Sequence, residues 1–235
     1  MSYMFSNCYR LSTLKVSNFK TEEVINMSGM FSSCSKIENL DLDNFVTNKV
    51  KDMSYMFQGC TLLNSLNISK ITTNSVEDMY YMFGDCRYLK NLDLRNFDTS
   101  KVTDMSHMFD QCGQMTSLDL SNFKTNNVGD MSFMFRGTYL RSLKGLENFE
   151  TSLVTDMAFM FFRCDLKEID ISNFDTSNVY HMSSMFTNTK FESIDLSKFN
   201  TINVEDMKSM FESSKLTSID LSGFNFYEQN MAKLL

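Results

Sequence analysis

The sequence predicts an α/β solenoid: one stack of short strand-plus-helix units, with a parallel β-sheet on the concave face and short helices on the convex face. Three observations predict it. The motif Met-x-x-Met-Phe recurs with its Phe at Phe5, Phe31, Phe57, Phe83, Phe109, Phe135, Phe161, Phe186 and Phe211, at intervals of 26 residues and, for the last two, 25. Between copies runs a segment of the form Leu-x-x-Leu-x-Leu-x-x-Phe, as from Leu89 to Phe97. The composition (Pro 0, Trp 0, Gly 8, Met 20, Phe 22) then resolves into columns, since every methionine except Met115 falls on one of the two Met positions. A fixed period of this length is the signature of stacked repeats.

The unit from Asp78 to Val102 justifies each element in turn. Met79, Met82, Phe83 and Cys86 lie at i, i+3, i+4 and i+7, which would place them on one face of two helical turns. Asp78 stands where an N-cap belongs. Asp52, Asp104, Asp130, Asp156 and Asp206 hold the same position, as do Asn26 and Asn230, with His181 as the exception. Leu92, Asp93 and Leu94 then alternate as a short half-buried strand should. Thr99-x-x-Val102 leads to the next cap. With no proline and few glycines, Asn, Asp, Ser and Thr must build the turns.

A short strand and a short helix cannot bury their own apolar faces, and stacking copies solves this by sharing one core. Residues 1–235 therefore read as a single solenoid of about nine repeats. Phe19, Phe45, Phe97, Phe123, Phe149, Phe174, Phe199 and Phe224 should form one internal spine, and the Phe of Met-x-x-Met-Phe a second. A degenerate tenth copy, Met231 to Leu235, closes the chain, and the opening MSYMFSNC begins in mid-motif, which reads as truncation from a longer chain.

The strand pattern is that of a leucine-rich repeat. The run from Leu92 through Met105 to Phe109 resembles the BspA-like leucine-rich-repeat surface proteins. More narrowly, it is similar to their mycoplasma-lipoprotein-associated repeat. The likeness extends over nearly the whole chain. It implies a microbial surface protein, located at the cell surface or secreted, that adheres to host-matrix or cell-surface proteins. It supplies no catalytic residues. No signal peptide or anchor is evident in the sequence.

Charge and composition exclude other classes. Lys+Arg 22 against Asp+Glu 29 leaves −7, with no basic run to suit nucleic acid. No apolar run approaches the roughly 20 residues of a membrane span. The only histidines, His107 and His181, stand on different copies, and there is no glycine-rich phosphate loop or nucleophile–base pair. The reading is of a non-enzymatic chain with no cofactor.

Function in a stacked repeat is sought by columns. On the concave face the residue between the strand leucines is Lys15, Asp41, Asn67, Asp93, Asp119, Lys144, Asp170, Asp195 or Asp220. Carboxylates at strand spacing repel and need compensation. Hydroxyls such as Ser117, Ser193 and Ser218 or solvent could supply it, or a basic protein partner, or shared Ca²⁺. A single column offers few of the oxygens that Ca²⁺ requires, and the reading takes no metal. The convex face should present an exposed aromatic stripe: Tyr55, Tyr81, His107, Phe133 and Phe159. It is either a binding surface or a row of rings covering one another.

The cysteines Cys8, Cys34, Cys60, Cys86, Cys112 and Cys164 share a column spaced unlike a zinc site and read as small core residues, with disulfide pairing left open. The threonines from Thr21 to Thr201 should satisfy loop backbone. In Leu140-Arg-Ser-Leu143-Lys-Gly145-Leu146 an extra strand residue suggests a bulge, a local kink and part of a ligand site. Protein binding through one face leads. The alternative is a structural spacer or stalk, self-associating end to end through uncapped terminal repeats.

Overall fold

The computed structural model describes residues 1–226. The degenerate tenth copy, Met231 to Leu235, and the Asn230 cap lie outside the described residues. The strands are short and parallel: β1 (Asn39–Asp41), β2 (Ser65–Asn67), β3 (Ser117–Asp119) and β4 (Ser142–Lys144). β1 pairs with β2 and β3 with β4, each residue against its equivalent one copy on, so that Leu40 faces Leu66 and Leu118 faces Leu143. They form two separate two-stranded sheets, not one continuous one.

The predicted helices are not found among the described residues. Among the described residues the only helical element is a single 3₁₀ turn, Leu146–Asn148. Met-x-x-Met-Phe folds as successive tight turns, and the backbone hydrogen bonds show why. In the second copy the amides of Met30, Ser32 and Cys34 donate to the carbonyls of Met27, Gly29 and Phe31, three residues back. The alternate amides of Met27, Gly29, Phe31 and Ser33 donate instead to Asp52, Ser54, Met56 and Gln58 of the next copy, at 2.9, 2.8, 2.9 and 2.6 Å. The Ser28 amide goes to the Asn26 side chain at 2.9 Å. Every amide from Met27 to Cys34 thus has a partner, as buried backbone requires.

A helix would have kept those bonds within itself and needed about 10 Å of lateral room, whereas strands stack at about 4.8 Å. The Phe rings of the motif stack from Phe5 to Phe211 with centroids 5.5–6.0 Å apart. That spacing admits turns and no helix. The first turn of each copy has a positive φ at its third residue, and the same column supplies it every time: Tyr3, Gly29, Tyr55, Tyr81, His107, Phe133, Phe159, Ser184 and Ser209 all lie at φ 53–59. With helices gone, the convex helical layer of the expected α/β arrangement has no counterpart.

The caps are correspondingly different. Asp52, Asp78, Asp104, Asp130 and Asp156 each accept the amide two residues on, at 2.8–2.9 Å, closing an Asx turn rather than capping a helix. Parallel bridges link the column step by step from Asn26 to Asp206, through His181.

The core runs without a break from Val16 to Phe224. Both Met columns are buried from Met27 to Met210, as is the motif Phe column from Phe31 to Phe211. The other Phe column is buried from Phe45 to Phe224, with Ile71 in the third copy's place, and its rings stack at Phe19–Phe45, Phe149–Phe174 and Phe199–Phe224. All six cysteines are free thiols, five buried and Cys8 half-buried. The Cys60 thiol donates to the Phe31 carbonyl at 3.1 Å, and burial pushes its pKa up to about 12. Thr138 and Thr189 in the same column bond instead within their own copy, to the Phe135 and Phe186 carbonyls three residues back.

Each inward threonine bridges two copies. Thr99 Oγ1 donates to the Lys124 carbonyl and accepts from the Lys124 amide, both at 2.8 Å. The same double bond recurs at Thr125–Glu150, Thr151–Asp175 and Thr176–Asn200. The irregular copy absorbs its extra residue at Gly145, whose φ of +98 opens the 3₁₀ turn. A Cβ there would lie 2.4 Å from the Leu120 carbonyl carbon, so only glycine fits.

Candidate functional site

The strand-face residues singled out from the sequence, Asp41, Asp93, Asp119, Lys144, Asp170, Asp195 and Asp220, are all exposed. Lys144 pairs opposite Asp119 in the β3–β4 ladder. The hydroxyls that serve the carboxylates are not those of Ser117, Ser193 and Ser218. Ser121 bonds Asp119 at 2.6 Å and Ser172 bonds Asp170 at 2.7 Å, each two residues downstream, while the Ser197 and Ser222 amides bond Asp195 and Asp220 at 2.9 Å. The residue at strand position i reaches i+2 because the chain turns immediately after it. These bonds hold Asp119, Asp170, Asp195 and Asp220 below the usual carboxylate range. Asp93 is pulled to about 2 by the Arg95 guanidinium, which grips it at 2.9 and 2.6 Å.

A groove of about 710 Å³ opens on this face where backbone pairing is interrupted. It lies between β2 and β3, at Asn91 to Asp93, whose backbone bonds to neither neighbouring copy among the described residues. Leu66, Leu92 and Leu118 line it, with the Asp93–Arg95 pair, Asp119 and Lys144 around them. Leu66 and Leu92 are only half-buried. The groove therefore joins apolar surface to charges of both signs.

The aromatic stripe occupies the tight-turn corner, and it is half-buried rather than exposed. His107 stacks on Phe133 at 4.3 Å and Phe133 on Phe159 at 4.6 Å, within 8° of parallel. Tyr81 meets His107 edge-on at 4.9 Å, and Tyr55 meets Tyr81 at 5.9 Å. Five bulky residues thus hold a left-handed conformation that costs an L residue about 1–2 kcal/mol. Ring stacking, at about 0.5–1.5 kcal/mol per pair beyond burial, offsets much of that cost. The rings cover one another.

Two constellations escaped the sequence reading. Asp110 has no exposed surface, and Arg136 holds both its oxygens, at 2.7 and 2.6 Å. His107 Nδ1 lies 2.8 Å from Asp110 Oδ2, where an ionised carboxylate requires a donor. Arg136 also lies 4.9 Å from the centroid of the Phe133 ring. The signal was the 26-residue offset between Asp110 and Arg136 in one column. The second is the row of half-buried carboxylates from Asp52 to Asp156, adjacent through the bridges described above. Burial raises the pKa of Asp78, Asp104 and Asp156, and the neighbouring carboxylates of the row add to the shift. Among the described residues no group of three or more His, Cys, Asp or Glu side chains is placed to hold a metal ion.

A family model described as "Mycoplasma protein of unknown function, DUF285" matches residues 1–91, 65–141 and 138–235. The chain belongs to this family. The three matches overlap and together span the chain, as a tandem array requires. No curated protein and no solved structure matches the DUF285 chain. Among its described residues no helix is long and apolar enough to cross a membrane.

Proposed function

We propose that the chain is a non-enzymatic protein-binding scaffold, a leucine-rich-repeat-like solenoid of a microbial surface protein, whose strand face receives a protein partner. The observation that carries this reading is the groove at Asn91 to Asp93, where half-buried Leu66 and Leu92 meet Arg95, Asp119 and Lys144. Apolar floor with a polar rim is the make-up of a recognition surface. The resemblance to adhesive surface repeats supports a host-matrix or cell-surface protein as partner and a location at the cell surface or outside the cell.

A second reading, a structural spacer, draws on the aromatic row, whose rings are spent on one another. Surface plasmon resonance of the purified chain over fibronectin, laminin and collagen separates the two. A binder loses its response in the Arg95→Glu, Lys144→Glu double variant and keeps it in Phe159→Ser. A chain with no response to any matrix protein favours the spacer.

A further inference from the structure

We propose that the Asp110–Arg136 pair fixes the register in which copies stack. Nearly identical copies carry a hazard: the Met, Phe, Cys, Thr and Val columns fit equally well if a copy docks one unit out of place or onto a second chain. One column, that of the residue after the motif Phe, differs from copy to copy: Ser6, Ser32, Gln58, Gly84, Asp110, Arg136, Phe162, Thr187 and Glu212. Within it Asp110 is fully buried and Arg136 grips it from the following copy. His107 completes the carboxylate's bonding. Were copy five to dock on copy seven, Asp110 would face Phe162. Were copy four to dock on copy six, Gly84 would face Arg136. The first slip buries the Asp110 carboxylate without its guanidinium, and the second leaves the half-buried Arg136 without its carboxylate, costs that the repeated columns do not themselves impose. Ser32, whose Oγ lies 2.8 Å from Gln58 Oε1 in the same column, marks a second copy boundary in neutral form. A buried ion pair is weak as a source of stability and well suited to specifying register.

The test is refolding from urea at fixed protein concentration, with size-exclusion chromatography and light scattering to count chains per particle. The Asp110→Leu, Arg136→Met double variant replaces the pair with apolar groups. It should unfold at a urea concentration near that of the native chain, yet refold with a several-fold larger share of multi-chain, domain-swapped species. Asp110→Asn, nearly isosteric, should raise that share too, and it carries the same reading if the apolar variant does not fold. An unchanged species distribution in the variants, whatever happens to the unfolding midpoint, overturns the proposal.

Discussion

The Thr47 hydroxyl donates to the Thr72 carbonyl at 2.7 Å and accepts from the Thr72 amide at 3.0 Å. One side-chain oxygen therefore does what a paired strand residue does, closing the gap between copies at a corner where no strand runs. The Thr99–Lys124 pair is the cleanest place to measure it. Thr99→Val keeps the shape and leaves an amide and a carbonyl unpaired, which should cost about 1–3 kcal/mol. Thr99→Ser should recover most of that loss. Urea unfolding monitored by circular dichroism checks both.

Two glycines should respond in opposite ways to the same change. Gly145→Ala forces a Cβ into the Leu120 and Ser121 backbone at a φ of +98, and should lower stability by at least about 2 kcal/mol. Gly113→Ala meets nothing closer than 3.9 Å, and should leave stability unchanged or raise it by up to about 1 kcal/mol. Thermal melts of the two variants side by side settle the contrast.

The cysteine column should be replaceable by threonine and chemically silent. Thr138 and Thr189 already occupy it, their hydroxyls satisfied by carbonyls of their own copy. Cys86→Thr should therefore cost under about 1 kcal/mol, whereas Cys86→Ala leaves a void and should cost about 1–2 kcal/mol. Burial lifts the Cys34 thiol to about 11 and Cys60 to about 12. At pH 8 the buried thiols should resist iodoacetamide in the folded chain and react once it is unfolded in urea, as mass spectrometry would record.

The two aspartate rows should pull acid stability in opposite directions. Asp78, Asp104 and Asp156 carry raised pKa values in the folded chain. Folding therefore favours their protonated form, and their contribution to stability grows as pH falls from neutrality through those raised values. Asp93, held at about 2 by Arg95, contributes stability above its unfolded value, lost as pH falls toward 2. Replacing Asp78, Asp104 and Asp156 with Asn should remove their contribution, so that the variant loses more stability than the native chain as pH falls. Urea midpoints from pH 7 to pH 3 give the comparison, and a triple variant whose profile runs parallel to the native one over that range would contradict it.

The period, the columns and the inward residues were legible in the sequence because burial acts on every copy alike, and repetition amplifies it. The helix was misread for a specific reason. Met79, Met82, Phe83 and Cys86 share one face in a helix, and they share one face in a run of tight turns as well. The distinguishing sign was Gly29 standing in the column of Tyr55 and Tyr81, a mark of positive φ. The strand-face residues were placed correctly on exposed positions, but their serine partners were not, since the chain's turn after each Asp is a matter of local geometry. The Asp110–Arg136 pair lay hidden because it belongs to no single copy.

The alternating amides have a directional consequence. In the tight-turn segment each copy sends N–H groups toward the copy that follows and offers C=O groups to the copy that precedes. A copy thus has two chemically unlike sides, a donor side and an acceptor side. It cannot meet an inverted copy, donor to donor, without leaving amides unpaired. Insertion or loss of one whole unit, such as Met53 to Asp78, preserves this polarity and joins like to like, whereas a shift of one residue would set the donors against carbonyls, such as those of Met53 and Tyr55, already bonded within their own copy.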